Sequence, residues 1–489
     1  MTCFLMNRIC GIETEYGCLV PEGVPMTPDG LAVRLKDWVF QQERLGIVDI
    51  HYRDRDEPPG NGGFLFNAGR MYIDMGHVEY ATPECTSLFD LVAFDKAGEW
   101  ILQQALEGVE TVKGHKGTLF KNNIDHFTGA TFGCHENYLI KRNTPFATVI
   151  VPGLLPFFAT RQIFAGAGRV GCYSDVFYYD QQEMQNDKQV PFQISQRSDY
   201  IVTEIYQWIQ FSRAIINTRD EPLADHTKYR RLHLLVGDSN MSEYAIALKI
   251  GTTSLILDLA ESGLLPRHTN LADPVQTLRE VSRDQTFRWI VELQSGRTIP
   301  AIDLQRKYLA ASKRYFAGRD RETDWILAEW EAILNDLERD PTSLIDRIDW
   351  AAKKWLLAMF KESEGVDWDD PWLKSLDLEY HNLDPKRGLY HGLLAEEVVR
   401  RLIPEERLQE AVIHPPQNTR AKARSTVLTA LAGRKMRYIV DWDSIYLEGE
   451  QHLVMDDPFD TYDRQVRELV SSVSRKAPFF FPKRGKKKK

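Results

Sequence analysis

The sequence of 489 residues lacks the short motifs that mark several common enzyme classes. It has no Walker A pattern, so any nucleotide that this chain binds is not held by a P-loop. C-x-x-C and H-E-x-x-H patterns are also missing, which removes the usual signatures of thiol redox sites and zinc proteases. Because G-x-S-x-G is absent too, the nucleophile elbow of the α/β-hydrolases is excluded. The chemistry must therefore be sought in polar residues that are spread along the chain.

Charge, cysteine content and apolar runs exclude further classes. The formal net charge is −9, which argues against a general nucleic-acid binder. The six cysteines form no closely spaced pairs and no signal peptide precedes them, so free thiols are predicted. The longest apolar run, 147–159, has 13 residues, whereas a membrane span needs about 20. We expect a cytoplasmic protein that does not enter a membrane.

The C-terminal segment 475–489 differs in charge from the rest of the chain. It contains eight basic residues and no acidic residue. A solvated flexible tail is the favoured interpretation, and contact with nucleic acid or an anionic surface is the alternative.

Hydrophobic patterning predicts an α+β fold, because strands and helices do not alternate regularly along the chain. We predict a large domain, a small C-terminal α+β domain and the basic tail, over residues 1–410, 411–474 and 475–489. Strands are predicted over 6–16, 64–75, 118–122, 131–139, 193–196, 214–217, 230–236, 436–441 and 444–447. Helices are predicted over 31–42, 86–106, 241–262, 303–317, 326–337 and 342–362. A loop is predicted over 54–63 and an exposed insertion over 173–188.

The densest group of polar residues lies in the sequence RMYIDMGHVEYAT. If this segment is a strand, Arg70, Tyr72 and Asp74 project from one face, and Glu13 and Glu15 share a face of another strand. Carboxylates gathered in this way are costly to bury without a cation or an anionic ligand. Mg²⁺ with nucleotide phosphates would offset that cost, since Mg²⁺ takes oxygen ligands. A solvated strand face with surface ion pairs is the alternative.

A second polar group lies in the sequence INTRDEPLADHTKYRRLHLLVGDSN. Guanidinium forks match phosphates and carboxylates, so a grip on either group is one interpretation of Arg219, Arg230, Arg231 and His233. The alternative is charge pairing within a loop, with Asp220, Glu221 and Asp225.

Two further positions have both a functional and a structural interpretation. In the sequence HEN, His135 is either a metal ligand or, more commonly, a hydrogen-bonded structural histidine. Trp442 is either a core or domain-interface tryptophan or an aromatic platform for an adenine ring.

Eight blocks of the sequence resemble, in this order, those of the Pup ligase/depupylase family: GIETEYG, LFKNN, GCHENYL, ISQRSDY, INTRDEP, YRRLH, VGDSN and PPQNTRA. The resemblance extends from Asn7 to Val473. The family is related to glutamine synthetase and other carboxylate–amine ligases. It implies a glutamine synthetase-like large domain, whose curved and mainly antiparallel sheet cradles ATP and Mg²⁺, and a small C-terminal domain.

The resemblance also implies roles for individual residues where the motifs match. The implied magnesium ligands are Glu13, Tyr72 and Glu79. The implied nucleotide contacts are Arg70, Thr82 and Trp442. Asp74 matches the catalytic aspartate, either as a general base or as a nucleophile. As hypotheses for anchoring phosphate or the terminal carboxylate of the tag, we take Arg219 and Arg230. The implied cofactors are Mg²⁺ and ATP, or ADP plus phosphate.

The family contains two opposite activities. A Pup ligase uses ATP to phosphorylate the γ-carboxylate of the tag's C-terminal glutamate and then joins it to a lysine of a substrate protein. A depupylase hydrolyses that isopeptide bond, and deamidates a C-terminal glutamine of Pup, with a nucleotide that is required but not consumed. The implied partners are a Pup-like protein tag and tagged proteins, and the family implies the proteasome pathway.

Finer features of the sequence point to both branches. Two residues separate Asp74 from His77, which is the depupylase spacing, whereas ligases have one residue more. The segments FQISQRSDYI, KIGTTSLILDL and LNDLERDPTSLIDRIDW resemble those of depupylases, whereas ATPEC, GCHENY and GDSNMSE resemble those of ligases. The segment 18–69 is intermediate in length between the branches. We predict a depupylase/Pup deamidase, with the ATP-dependent Pup–protein ligase as the alternative.

Two other classes explain less of the sequence. A small-molecule ligase of the glutamine synthetase type would use the same magnesium and nucleotide residues but would not need the ordered blocks. A binding protein that kept only the fold would not need Asp74 and the three magnesium ligands, all of which are present.

Overall fold

The computed structural model describes residues 8–53, 57–114, 117–172, 190–208, 213–449 and 451–475. The predicted insertion over 173–188, the tail beyond Arg475 and part of the predicted loop 54–63 lie outside the described residues.

The strands form one large sheet and three small ones. In chain order they are β1 (Cys10–Leu19), β2 (Gly46–Val48), β3 (Gly62–Leu65), β4 (Arg70–Asp74), β5 (His77–Ala81), β6 (Thr118–Phe120), β7 (Cys134–Lys141), β8 (Arg169–Val170), β9 (Phe192–Gln193), β10 (Thr203–Tyr206), β11 (Ala214–Asn217), β12 (Tyr229–Leu234), β13 (Ile290–Glu292), β14 (Thr298–Pro300), β15 (Tyr438–Val440), β16 (Ser444–Leu447) and β17 (Gln451–Val454). Nine strands of the large sheet follow the order β10-β11-β12-β7-β1-β5-β4-β3-β2, and β6 pairs with β1 beside this path. Only β10 and β11 run parallel among these pairs. The predicted α+β class with a mainly antiparallel sheet is confirmed.

Thirteen α-helices lie within the described part of the chain. They are α1 (Pro28–Trp38), α2 (Leu88–Lys113), α3 (Val151–Ala165), α4 (Glu243–Glu261), α5 (Pro274–Arg283), α6 (Ala301–Phe316), α7 (Arg321–Arg339), α8 (Asp349–Glu364), α9 (Pro371–Glu379), α10 (Leu389–Ala395), α11 (Glu405–Ile413), α12 (Arg420–Leu431) and α13 (Asp463–Arg475). Side-chain caps begin several of them: Ser87 accepts a hydrogen bond from Asp90 N in α2, and Asp320 accepts one from Thr323 N in α7. The predicted helices are confirmed apart from the one over 342–362, although their ends shift by a few residues.

The two faces of the large sheet differ because side chains alternate along each strand. On β1, Ile12 and Tyr16 point into the main hydrophobic core, which also contains Leu91 of α2 and Leu248 of α4. The intervening residues of β1, including Glu13, point to the opposite face. The helices therefore cover one face, and the polar residues of the sequence gather on the other.

The predicted strand 64–75 is in fact two strands joined by a turn, and the polar segment 70–82 is a hairpin. Ala68 has a positive φ of 67° in the turn between β3 and β4. Met75 and Gly76, with φ of 45° and 92°, form the two-residue turn between β4 and β5. Such tight hairpin turns need positive φ at both central positions, and glycine adopts it readily. Strand propensity alone does not reveal this reversal, so the prediction of one continuous strand was wrong.

The predicted helix 342–362 also divides into two elements. A 3₁₀ turn, Pro341–Leu344, is capped by Asp340, and α8 begins only at Asp349. Arg347, in the break, pairs with Glu329 at 2.8 Å and Asp336 at 2.7 Å, both on α7. These ion pairs hold the non-helical segment against α7.

One helical stretch of the described residues, Phe146–Ala165, is long and apolar enough to span a membrane by length and composition alone. About two thirds of its most apolar window (67%) is buried inside the molecule. Core helices have the same composition, so burial within the protein accounts for this stretch.

A second, smaller hydrophobic core lies at the C-terminal end of the chain. It is built from β15–β17, α12 and α13, and it includes Val427, Ile445 and Leu453. Phe64 of the large sheet belongs to this small core, so the C-terminal unit packs directly on β3. The strands predicted over 436–441 and 444–447 are confirmed, whereas β17 and α13 were not predicted. The domain bounds of 1–410 and 411–474 stay a prediction.

A buried ion-pair group ties the small core to the large sheet. Glu84, just after β5, accepts from Arg420 Nε at 2.7 Å and from both terminal nitrogens of Arg424. All three side chains are at most 7% exposed. Burial alone would raise the pKa of Glu84, but the charges of Arg424 and Arg420 outweigh it and lower the pKa to about 2.

We expect Glu84→Gln to lower the melting temperature at neutral pH, because removing one partner of a buried ion pair costs about 3–5 kcal/mol. Since the folded-state pKa lies below the unfolded value of 4.5, the stabilising contribution is complete above pH 4.5 and is lost as the pH falls towards 2. The difference in melting temperature between variant and wild type should therefore shrink in acid. A difference that is constant from pH 7 to pH 4 and below would contradict this assignment.

Candidate functional site

A cluster of carboxylates lies on the open face of the large sheet, where β1, β4 and β5 run side by side. Glu15 pairs in register with Glu79, and Tyr72 pairs with Glu79 from the other side. The carboxylate oxygens of Glu15, Asp74 and Glu79 lie within 4.8 Å of one another. Tyr72 donates a hydrogen bond to Glu79 Oε1 at 2.6 Å, which orients this carboxylate.

Mutual repulsion changes the ionisation of these carboxyl groups. Burial, reinforced by the charges of Glu13 and Glu15, raises the pKa of Glu79 well above its ordinary value. Burial, followed by the charge of Glu15, likewise raises the pKa of Asp74. Burial also raises the pKa of Tyr72 well above its ordinary value, so this hydroxyl keeps its proton.

A second group of possible ligands adjoins the first on β1, β7 and β12. One ligand atom each from Glu13, His135 and His233 lies within 4.8 Å of the others. Burial alone would raise the pKa of Glu13, but its contact with His135 and the nearby charge of Arg231 help to lower it to about 2. Burial, then the charge of Arg231, lowers the pKa of His233 well below its ordinary value, so the ring is neutral and offers a lone pair.

The donor set fits Mg²⁺. Hard oxygen ligands on adjoining strands repel each other in the absence of a cation, and a divalent ion would relieve that repulsion. Gly133 packs directly against the possible ligands, because an added Cβ would lie 2.7 Å from both Glu15 Oε1 and His135 Nε2 and would displace them. Of the predicted ligands, Tyr72 and Glu79 lie in the first group with Glu15, and Glu13 lies in the adjoining second group.

His77 stands at the end of this cluster. It faces Asp74 across the two-residue turn, and its Nδ1 lies 2.9 Å from Glu15 Oε2. Its ring also packs on Phe132, with the centroids 4.6 Å apart. Although burial opposes it, this hydrogen bond helps to lower the pKa of Glu15, so Glu15 stays charged beside Asp74.

The predicted nucleotide contacts Arg70 and Thr82 lie along one edge of the site, since Arg70 pairs in register with Ala81, the neighbour of Thr82. Arg70 stacks over Tyr72 at 4.3 Å from the ring centroid, and its guanidinium pairs with Asp49 at 3.0 Å and Glu57 at 2.5 Å. Thr82 is buried, and its hydroxyl accepts a hydrogen bond from Ile12 N at 3.0 Å.

Trp442 extends this edge from the small C-terminal unit. Its ring meets Phe64 edge to face, with the centroids 5.0 Å apart. Phe64 pairs in register with Arg70. Trp442 is therefore an interface tryptophan that is also partly exposed beside the predicted nucleotide contacts, and the two interpretations of it are compatible.

Arg219 and Arg230 pair with acidic residues outside the carboxylate cluster, although the charge of Arg219 also acts on His233 and helps to lower the pKa of its ring. Arg219 is half exposed and pairs with Glu221 at 2.7 Å. Arg230 lies on the other face of β12 from His233, where it pairs with Asp220 at 3.1 Å and lies over the ring of Phe146 at 4.8 Å. The contacts of both residues are those of the charge-pairing alternative.

Arg231 occupies the place that was expected for Arg230. It shares a face of β12 with His233, and its charge acts on both His233 and Glu13. Its buried Nε has no hydrogen-bond partner, and the same is true of Asn217 Nδ2 on β11. Donors without partners beside a carboxylate cluster are typical of an anion site. The sequence contained a signal for this, because side chains two residues apart on a strand share a face. Arg231 is two residues from His233, whereas Arg230 is three residues from it and points to the other face.

The HEN sequence divides between the two faces. His135 points to the open face, while Glu136 points into the helix layer and pairs there with Arg161 and the hydroxyl of Tyr138. Only His135 of these two residues can take part in the site.

We expect Glu79→Gln to raise the melting temperature in the presence of a chelator, because it removes the most strongly repelled charge of the cluster. The same variant should lose the stabilisation that Mg²⁺ gives the wild type. Melting curves with chelator and with Mg²⁺ measure both effects. Glu338→Gln, an exposed carboxylate on α7, is the matched control and should melt like the wild type. A Glu79→Gln variant that melts lower in chelator and keeps the Mg²⁺ shift would contradict the site.

Comparison with known proteins adds the family. A model described as Pup-ligase protein matches residues 8–446. A depupylase of Acidothermus cellulolyticus is 38% identical over 475 residues, which are 91% of each chain. A Pup–protein ligase of Arthrobacter sp. is 37% identical over 481 residues, covering 96% of this chain and 99% of the other.

Solved structures give the same result. The crystal structure of the complex between prokaryotic ubiquitin-like protein Pup and its ligase PafA matches with a TM-score of 0.84 and 32% identity, over 97% of this chain and 93% of that chain. The Pup ligase PafA in complex with ADP matches with a TM-score of 0.75 and 34% identity, over 85% and 91%. With residues 8–446 matched by the family model and 97% of the chain matched by a solved Pup ligase, the chain belongs to the Pup-ligase protein family.

Proposed function

We propose that this protein is a nucleotide- and Mg²⁺-dependent depupylase that hydrolyses the isopeptide bond between a Pup-like tag and a substrate lysine. The observation that carries the proposal is the β4–β5 turn. Two residues, Met75 and Gly76, close it, so that Asp74 faces His77 directly. This is the spacing that resembles depupylases rather than ligases.

The ATP-dependent Pup–protein ligase is the second candidate. It is favoured by the sequence segments ATPEC, GCHENY and GDSNMSE and by the relatives that carry the ligase name. Relatives of both names are similar to this chain to nearly the same degree, at 38% and 37% identity. The names of the relatives therefore do not decide between the two functions, and we base the proposal on the length of the β4–β5 turn.

The chain's own residues would divide the work in the following way. Asp74, which is partly exposed and whose pKa is raised, would accept a proton from water or attack the scissile carbonyl itself. Its position beside Glu15 and Glu79 keeps it basic, because a second negative charge disfavours its ionised form. Mg²⁺ held by Glu13, Glu79 and their neighbours would supply positive charge beside the reacting carbonyl, and it would also bind the negatively charged phosphates of the nucleotide.

The anion donors of β11 and β12 would hold a negatively charged group of the substrate complex. Arg231, with Asn217 beside it, faces the site and has donor groups without partners. These donors suit a phosphate or the terminal carboxylate of the tag. ATP, or ADP plus phosphate, is the cofactor that we propose, with a Pup-like tag and tagged proteins as partners and the cytoplasm as location.

One assay separates the two candidate functions. The protein is incubated with Mg²⁺ and either a Pup-conjugated protein or free tag with an unmodified substrate protein. Each mixture is run once with ATP and once with a non-hydrolysable analogue, and the products are identified by mass spectrometry. A depupylase releases free tag from the conjugate with either nucleotide. Conjugation of free tag to lysine, seen only with hydrolysable ATP, would instead establish the ligase.

We expect Asp74→Asn to lower turnover by about 10²–10⁴-fold, the usual contribution of a general base. The affinity for ADP should stay near that of the wild type, because Asp74 is not among the proposed nucleotide contacts. Asp367→Asn, whose side chain is 91% exposed, is the matched control and should leave turnover unchanged. Turnover that survives in Asp74→Asn would refute the assignment.

Arg231→Met and Arg230→Met test which arginine serves the site. Because Arg231 alone shares the face of His233, we expect kcat/KM to fall by about 10²-fold or more in Arg231→Met and by less than about threefold in Arg230→Met. Steady-state kinetics on the conjugated substrate measure both. The reverse order of effects would restore the hypothesis that Arg230 anchors the anion.

A further inference from the structure

Arg424 of α12 is the point where the small C-terminal unit meets the open face of the sheet. Its side chain is fully buried. Nη1 donates to the backbone carbonyl of Trp442 at 2.9 Å and to Glu84 Oε1 at 3.1 Å. Nη2 donates to the backbone carbonyl of Ala68 at 3.1 Å and to Glu84 Oε2.

The guanidinium group also contacts two aromatic rings. Its central carbon lies 4.7 Å from the ring centroid of Trp442 and 4.8 Å from that of Phe64. These are the two rings that meet edge to face at the proposed nucleotide site. One buried cation therefore fixes both the backbone and the ring of Trp442.

Each residue expected to contact the nucleotide lies at, or two positions from, a group that Arg424 binds. Ala68, whose positive φ forms the turn before β4, precedes Arg70 by two residues. Glu84 follows Thr82 by two residues, and Trp442 is bound directly. Arg424 is hydrogen-bonded to all three segments, of which the one at Trp442 is distant in the sequence from the two at Ala68 and Glu84.

We propose that Arg424 is a positioning residue for the nucleotide: by joining the Trp442 backbone and ring, the Ala68 turn and Glu84, it sets the geometry in which the base and phosphates are bound. This inference rests on the proposed function, since it presupposes that the protein binds a nucleotide at Arg70, Thr82 and Trp442. Arg424 itself is buried and does not touch the nucleotide.

The role requires arginine because a lysine cannot make the same contacts. The planar fork binds the two oxygens of Glu84 and two carbonyl groups at once and lies within 4.8 Å of both ring centroids, whereas an ammonium group is a single point charge. Arg424→Lys should keep the charge pair with Glu84 and lose the contacts that orient Trp442 and the Ala68 turn. In this variant the affinity for the nucleotide should therefore fall further than the loss of folding stability alone would explain.

Arg420 provides a matched control on the same helix. It is equally buried and binds the same carboxylate, Glu84, at 2.7 Å. Its other side-chain hydrogen bonds go to the carbonyl groups of Leu223 and Met455, rather than to those of Ala68 and Trp442 that Arg424 binds. A purely structural role for the ion-pair group predicts the same effect of both arginines on nucleotide binding.

The first measurement is the affinity of the full-length protein for ADP with Mg²⁺, by isothermal titration calorimetry, together with the melting temperature. We expect Arg424→Lys to weaken ADP binding by about tenfold, the effect of losing one oriented hydrogen bond and one cation–π contact. Arg420→Lys should bind ADP within about twofold of the wild type, although it melts at a similar temperature to Arg424→Lys. Equal loss of affinity in the two variants, or none in Arg424→Lys, would overturn the proposal.

A double-mutant cycle with Trp442→Ala gives a readout that a stability defect does not produce. If Arg424 acts through Trp442, then Arg424→Lys should cost much less affinity in the Trp442→Ala background than in the wild type. If each substitution instead weakened ADP binding by the same factor in either background, the two residues would be independent and the proposal would be overturned. A wild type that binds no ADP at all would instead refute the proposed function, so the two failures are distinguishable.

Discussion

The repulsion among the carboxylates of Glu15, Asp74 and Glu79 is the constraint on which the rest of the structure depends. Their oxygens lie within 4.8 Å of one another, and burial keeps water from screening them. Two neutral or positive groups offset part of the cost, namely the hydroxyl of Tyr72 on Glu79 and the ring of His77 beside Glu15. The remaining imbalance makes the site receptive to a divalent cation and leaves Asp74 basic.

The architecture holds this unfavourable cluster in place by stabilising everything around it. Alternation along β1 sends Ile12 and Tyr16 into a core covered by helices, so the strand cannot rotate its acidic face away. At the far edge, the pairs of Glu84 with Arg420 and Arg424 fasten the small C-terminal unit to the large sheet. The proposed nucleotide site is then shared by the two units, with Arg70 and Thr82 on one and Trp442 on the other.

The sequence was informative where a local rule applied. Period-two alternation placed Glu13 with Glu15 and Tyr72 with Asp74 on common faces, and the apolar stripe from Ile326 to Leu337 is buried as predicted. The resemblance then implied that Glu13, Tyr72 and Glu79 are magnesium ligands. The resemblance did not show that Arg230 points away from the site. The alternation of side chains along β12 would have shown it, since Arg230 and His233 lie on opposite faces.

Other features depend on contacts between distant segments, which no local pattern reveals. The turn at Ala68 is completed by Arg424, which lies 356 residues further along the chain. The reversal at Met75 and Gly76 is set by backbone conformation rather than by side-chain periodicity.

The central claim, that these strands hold a divalent cation beside Asp74, is tested most directly by crystals grown with ADP and Mn²⁺ in place of Mg²⁺. Anomalous scattering then locates the metal without any assumption about activity. The account predicts a strong peak bound by Glu79 together with carboxylates of β1. A peak elsewhere, or none in the presence of bound ADP, would contradict it.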